Sequence, residues 1–281
     1  MIVVITPGTL LLPSPEPLFR LTGEPPDRPE YLLRGPGWAL TAGARPVRKA
    51  ARTRCTSREC SGMKIGIIGA GNIGGQLTRR LTALGHEVAL ANSRGPQTLS
   101  ELAAETGATP VEAAHAADGA EIVVVTIPLK AVPGLPKGFL DGAAEGVTVI
   151  DTGNYYPQQR DGRIAEIEDG LTESAWTARQ IGHPVVKAFN NIYAHLITEQ
   201  PTPPGTEGRY ALPVAGDDTE AKQAVLRLVD EIGFDAVDAG GLDESWRQQP
   251  GTPVYGLSAD AAGVRAALAE APPQRPADFR A

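Results

Sequence analysis

The sequence predicts an α/β fold, a doubly wound and mostly parallel sheet with a small C-terminal α/β extension. Three observations carry this. From Met63 onward, short apolar runs alternate with helical patterns, as a parallel sheet with crossover helices requires. The first run leads into "GAGNIGG", which places Gly69, Gly71 and Gly74 at G-x-G-x-x-G spacing. A second run ends about twenty residues later at "ALANSRGP", the place where a Rossmann-type sheet puts its ribose-contacting residue.

The apolar runs that read as strands are 64–68, 87–91, a weak 108–111, 121–127, 147–151, 184–189, 210–216 and 234–238. Between the first two, Ile73, Leu77, Leu81 and Leu84 recur at helical spacing and Gly85 stops the helix, which completes a βαβ unit. A later helix carries Val225, Leu228, Val229 and Ile232 as its apolar stripe. Asp217, with Glu220 three residues on, is expected to introduce it and Gly233 to end it.

Residues 1–62 are of a different kind. They hold nine prolines and nine Lys/Arg against five Asp/Glu, with few periodic apolar positions, too little apolar surface to offset the entropy of ordering. A disordered, Pro/Arg-rich leader is expected. Cys55 and Cys60 lie in it without a second Cys/His pair to finish a metal site, so they read as free thiols. Because Met63 stands directly before the first strand, translation is expected to start there, with the leader a start-site misassignment. The intact mass of the natively expressed protein tests this.

The rest of the chain carries 17 Lys/Arg against 28 Asp/Glu, a balance that argues against nucleic acid as a partner. No apolar run is long enough to cross a bilayer, and "MIVVITPGTLLLP" has no basic segment ahead of it. A cytoplasmic protein is expected, with no membrane partner. His86, His115, His183 and His195 are scattered without ligand spacing, so no metal is expected. His86 is read as closing a helix end and His183 as preceding a strand.

In the glycine turn, Gly69 permits the tight bend, Gly71 lets the backbone approach a pyrophosphate, and Gly74 lets helix and strand pack closely. The phosphate then meets free N–H groups at the helix N-terminus. An NAD site would put Asp or Glu at the end of the second strand to bind the ribose 2′-hydroxyl. Here the residues are Asn92, Ser93 and Arg94. Arg94 can pair with a 2′-phosphate through its planar fork, and Ser93 can donate to a phosphate oxygen. The cofactor expected is NADP(H); the alternative reading makes Arg94 a solvated loop charge. Residues 63–195 therefore read as the NADP-binding Rossmann domain, and 196–281 as the extension with a loose tail beyond "APPQRP".

In such a fold, ligands lie outside the carboxyl ends of the strands. Three segments end apolar runs there: Thr126-Ile127-Pro128, Asp151-Thr152-Gly153-Asn154 and Ala188-Phe189-Asn190-Asn191. Turn chemistry explains such residues too. The first and third are read as cofactor or substrate contacts, because Asn190 and Asn191 together carry more polar capacity than one turn needs.

The stretches "MKIGIIGAGNIGGQLTRRLTALGHEVALANSRGP", "VVVTIPLKAV", "VVKAFNN" and "VAGDDTEAKQAVLRLVDEIGFDAVDAGGL" resemble the NADPH-dependent coenzyme F420 reductase family, whose fold the cytosolic domain of eukaryotic metalloreductases shares. The resemblance covers residues 63–245. It implies that Ala70, Gly71, Asn72, Ile73, Ser93 and Arg94 bind NADP, and that Ile127, Pro128 and Ala188 lie on the nicotinamide side. It implies coenzyme F420, a deazaflavin, as co-substrate. Two departures stand out: "SRGPQT" lacks the second basic residue that often follows the S-R pair, and "DTGNYYPQQRDGR" and "ESWRQQPGTPVYG" lie outside the family pattern, resembling instead a bacterial subgroup.

The function expected is hydride transfer between the nicotinamide and a small-molecule redox substrate, in which ring positioning carries most of the catalysis. The sequence holds no Ser/His/Asp or Cys/His constellation. An alternative is an imine or carbonyl reductase resembling pyrroline-carboxylate reductases, for which Tyr155, Tyr156 or His195 would supply a proton. A third, of another class, is an NADP(H)-binding redox sensor without turnover. By analogy with the fold, a homodimer would use the helix at 219–232.

Overall fold

The computed structural model describes residues 62–281, so the expectations for Cys55, Cys60 and the leader through residue 61 fall outside the described residues. All eight apolar runs become strands: β1 (Lys64–Ile68), β2 (Glu87–Ala91), β3 (Thr109–Pro110), β4 (Ile122–Val125), β5 (Thr148–Asp151), β6 (Val186–Lys187), β7 (Ala211–Val214) and β8 (Asp235–Asp238). The helices are α1 (Asn72–Leu84), α2 (Ser100–Thr106), α3 (Ala165–Glu168), α4 (Glu173–Ile181), α5 (Leu196–Glu199), α6 (Thr219–Glu231) and α7 (Ala261–Glu270).

The first six strands form one parallel sheet in the order β3-β2-β1-β4-β5-β6. The order reverses between β1 and β4, which opens a crevice at their carboxyl ends. Every residue of β4 and β5 is buried, as expected of central strands covered by helices on both faces. The six-residue run 184–189 shrinks to a two-residue strand. Pro184 has no N–H to pair, and Phe189 turns away at φ 60°, a left-handed conformation rare outside glycine.

The α1 stripe falls as its spacing predicts, with Leu77 and Leu81 fully buried and Gly85 closing the helix at φ 97°. His86 does not cap that helix with its ring. Its Nδ1 instead accepts the Met63 N–H at 3.2 Å, joining the start of β1 to the start of β2. The α6 cap also differs by one residue from expectation. Asp218 accepts the Ala221 N–H at 2.9 Å, whereas Asp217 accepts the Leu242 N–H at 2.8 Å and so ties a different segment to the fold.

Strands β7 and β8 pair with each other in parallel, and an antiparallel bridge between Lys187 and Ala215 links them to β6. Val225, Leu228, Val229, Ile232 and Phe234 share one buried cluster with Ile65, Leu90 and Ile150. At about 1.5–3 kcal/mol for each large apolar side chain buried, these five contribute on the order of 10 kcal/mol, as much as a whole domain's net stability. Helix α6 is thus part of the sheet's own core.

Candidate functional site

The glycine turn has a geometric reason at each position. Gly69 has φ 116°, and a Cβ there would lie 2.2 Å from the Thr126 carbonyl oxygen. A Cβ on Gly74 would lie 1.8 Å from the Gly69 carbonyl oxygen and 2.8 Å from Thr126 Cγ2. Those two glycines are required by the protein's own packing. Gly71 is not: its Cβ would point into open space, with no atom within 4 Å. A glycine that internal packing does not demand, at the N-cap of a thirteen-residue helix, fits a cradle for a phosphate that comes close to the backbone. No side chain caps α1 and no acidic residue occupies its first turn, so its free N–H groups are open to an anion.

Ser93 and Arg94 are exposed just past β2. Asn92 shapes this loop: its Oδ1 accepts the Arg94 N–H at 2.9 Å and its Nδ2 donates to Thr98 Oγ1 at 2.8 Å. Asn92 is thereby committed to the turn, and the donors left at the ribose position are Ser93 and Arg94. No carboxylate pairs with Arg94 among the described residues.

On the other side of the crevice, Thr126, Ile127 and Pro128 are half-buried at the end of β4, and the Thr126 N–H donates to Ile68 O at 2.9 Å. Ala70 and Ile73 pack partly into the main core while Asn72 is exposed at the start of α1. Ala188 is fully buried. The Asn190 side chain has protein partners. Its Nδ2 donates to Gln248 O at 2.6 Å and to Asn154 Oδ1 at 3.1 Å, while its Oδ1 accepts from Gln248 Nε2 at 3.0 Å. The Asn190 side chain is buried and its bonds join three loops, whereas both polar atoms of the neighbouring Asn191 amide are buried without a hydrogen-bond partner among the described residues.

Beneath this bend lies a set of buried charges that sequence reasoning missed. Lys187 and Glu173 have no exposed side-chain surface; Lys187 Nζ lies 3.4 Å from Glu173 Oε2 and donates to Gly153 O at 3.0 Å. Arg275 donates to Glu173 Oε1 at 2.9 Å and to Gln249 Oε1 at 2.7 Å. Asp151 accepts from Ser174 Oγ at 2.6 Å and from Gly153 N at 2.9 Å. Lys187 and Arg275 share the buried Glu173 carboxylate, and Asp151 is satisfied by hydrogen bonds, the conditions under which buried charge is tolerated. Arg275 lies within "APPQRP", just ahead of the tail read as loose, and ties that stretch to Glu173. The signal available was a lysine inside an otherwise apolar run, "PVVKAF", which implies a buried counter-charge.

The three proton-donor candidates separate. Tyr155 is fully buried, its hydroxyl accepting the Ile164 N–H at 2.9 Å; burial raises its phenol above the ordinary range. His195 is exposed ahead of α5. Tyr156 is half-buried and hydrogen-bonds through its hydroxyl to that of Tyr255. A separate cleft of about 450 Å³ lies between Trp246, the loop before α4 and the tail at Pro272–Pro276, away from the glycine turn. No described helix is long and apolar enough to cross a membrane.

Residues 64–155 match the family of NADP oxidoreductases described as coenzyme F420-dependent. Among curated proteins, the chain is 48% identical over 60 residues to a protein of Escherichia coli K12 named YjhV, a stretch that covers 21% of this chain and 44% of that one. The chain spans less than half the length of the curated relatives it matches. Among solved structures, the hypothetical protein SMa0349 of Sinorhizobium meliloti superposes with a TM-score of 0.60 at 28% identity, over 72% of this chain and 96% of that one. A candidate F420-dependent NADP-reductase of Arthrobacter sp. FB24 superposes with a TM-score of 0.53 at 25% identity, over 66% of this chain and 87% of that one. The resemblance read from the sequence is therefore present over residues 64–155, and the sheet is Rossmann-like.

Proposed function

We propose that this chain is an NADP(H)-dependent oxidoreductase which, like the family matched by residues 64–155, passes hydride between the nicotinamide and a deazaflavin. The observation that carries the reading is the pairing of two features at one crevice. Gly71 leaves open space over the uncapped start of α1, and Ser93 with Arg94 offers donors and a cation, without a carboxylate, at the end of β2.

In this reading, backbone N–H groups from Gly71 to Gly74 hold the pyrophosphate, and Arg94 and Ser93 hold the 2′-phosphate. Ala70 and Ile73 line the turn, while Thr126, Ile127, Pro128 and Ala188 form the wall against the nicotinamide. Asn190 positions that wall through Gln248 and Asn154. The bound cofactor would supply the hydride; the chain supplies orientation and exclusion of water. Cytoplasmic operation and a homodimer through α6 remain part of the proposal.

A second reading, reduction of an imine or carbonyl, is favoured by the Tyr156–Tyr255 hydroxyl pair, since such acceptors need a proton as well as a hydride. The test is to follow NADPH absorbance after adding a 5-deazaflavin. Rapid oxidation supports the first reading. Tight NADPH binding with oxidation only by an imine or carbonyl supports the second, and binding with no oxidation by any of these would leave the sensor.

A further inference from the structure

Tyr156 and Tyr255 lie 99 residues apart in the chain, yet their hydroxyls meet. Both are brought to the carboxyl ends of β5 and β6 by backbone anchors. Asn154, two residues before Tyr156, donates from Nδ2 to Asn190 O at 2.8 Å. Gly256, one residue after Tyr255, donates its N–H to Asn191 O at 2.8 Å. The bend at Ala188–Asn191 thus holds one loop on each side, and Phe189 within it keeps its φ of 60° although that conformation costs of order 1–3 kcal/mol. Strain of this kind persists where the surroundings hold a segment in one geometry.

The pair is also polarised. Burial pushes the Tyr255 phenol well above its ordinary range, so Tyr255 keeps its proton. Either hydroxyl can donate in this bond; when Tyr255 donates, the Tyr156 oxygen is the acceptor. A phenol that accepts one hydrogen bond still has its own O–H to give, and that hydrogen has no other partner among the described residues. The Arg160 guanidinium sits 5.2 Å from the centroid of the Tyr156 ring, held by its bond to Asn154 O at 2.5 Å. A donor on the oxygen favours negative charge there at the moment its proton leaves, while the Arg160 charge is matched by Asp161, whose carboxylate it meets at 3.0 Å. Phe279 packs 6.3 Å from the same ring on the tail side.

We propose that Tyr156, held and polarised by Tyr255, donates the proton to an acceptor whose reducible unit ends on nitrogen, either a simple carbon–nitrogen double bond or the conjugated one of a deazaflavin. The inference rests on the hydride-transfer reading. Its balance is as follows. A hydride adds to the electrophilic carbon, the π pair moves onto nitrogen, and nitrogen takes the Tyr156 proton while the nicotinamide is oxidised. The phenolate accepts the Tyr255 hydrogen bond and recovers a proton from water. One hydride and one proton complete a two-electron reduction.

The test uses Tyr156→Phe and Tyr255→Phe in the full chain, with a 5-deazaflavin and 1-pyrroline as the two acceptors. Three quantities are read: NADPH affinity, deazaflavin binding by fluorescence without NADPH, and turnover in H₂O and D₂O. Tyr156→Phe is expected to leave NADPH affinity unchanged, weaken deazaflavin binding about fivefold, and lower kcat about 100-fold or more. Tyr255→Phe is expected to lower kcat about tenfold, because the donor remains and its partner is lost. A solvent isotope effect on wild-type kcat should vanish with Tyr156. The acceptor that wild-type protein reduces identifies which source of the nitrogen terminus applies. Turnover by both variants within about threefold of wild type overturns the proton-donor role and leaves the hydride reading standing. NADPH oxidation by neither acceptor in wild-type protein overturns both.

Discussion

The two walls of the crevice are built in different ways. The cofactor wall, from Gly69 to Arg94, is made of backbone: a glycine turn, an open helix start and a short polar loop, all within one βαβ unit. The side proposed to face the acceptor is made of side chains brought from afar. Tyr156 meets Tyr255, Lys187 meets Glu173, and Arg275 reaches Glu173 across 102 residues of sequence. A wall of backbone geometry depends on its glycines, with Ser93 and Arg94 as the side chains proposed to select the ligand. A wall of buried side-chain pairs can vary its chemistry, but each pair must change together.

The sharpest break of this contrast is on the proposed acceptor side. Glu173→Ala leaves Lys187 and Arg275 buried without their carboxylate, and should destabilise the fold by about 3–5 kcal/mol in urea denaturation, while any surviving folded protein keeps its preference for NADPH. A loss near zero would mean the buried pair is not formed in solution.

On the cofactor wall, Gly74→Ala and Gly71→Ala should behave oppositely. The Cβ of the first would collide with the Gly69 carbonyl, costing about 1–3 kcal/mol of stability and spoiling the turn. The second meets no protein atom, so stability should change by less than about 1 kcal/mol while NADPH affinity falls about tenfold or more. If Gly71→Ala binds NADPH as wild type does, no phosphate approaches that backbone.

A smaller effect appears in alkali. Burial raises both Tyr155 and Tyr255. Above the ordinary phenol value near 10, the unfolded chain releases these protons while the folded chain retains them, so stability falls as pH rises and is flat from these groups below about pH 9. Thermal denaturation at pH 9 to 11 should show this slope, and Tyr255→Phe should reduce it.

The same contrast explains what could be read from the sequence. The eight strands, the α1 stripe and the roles of Gly69 and Gly74 follow from local periodicity and turn sterics, and these survive translation into three dimensions. Asp217 and Asp218 illustrate the limit. Both suit a helix cap, and only the partner of Asp217, Leu242 N, a long way along the chain, decides between them. Asn190 meets the same limit: its partners Gln248 and Asn154 come from other loops, which its place in the sequence does not reveal. Tyr156 was one of three equivalent candidates until Tyr255 singled it out.

The most direct test of the central claim, that this crevice is built for a 2′-phosphate, is to titrate wild-type and Arg94→Ala protein with NADPH and NADH. Arg94→Ala is expected to lose about 1–3 kcal/mol of NADPH affinity with little change for NADH, so that the gap between the two cofactors collapses. Equal affinity of wild-type protein for both cofactors, or an equal loss for both in Arg94→Ala, would contradict it.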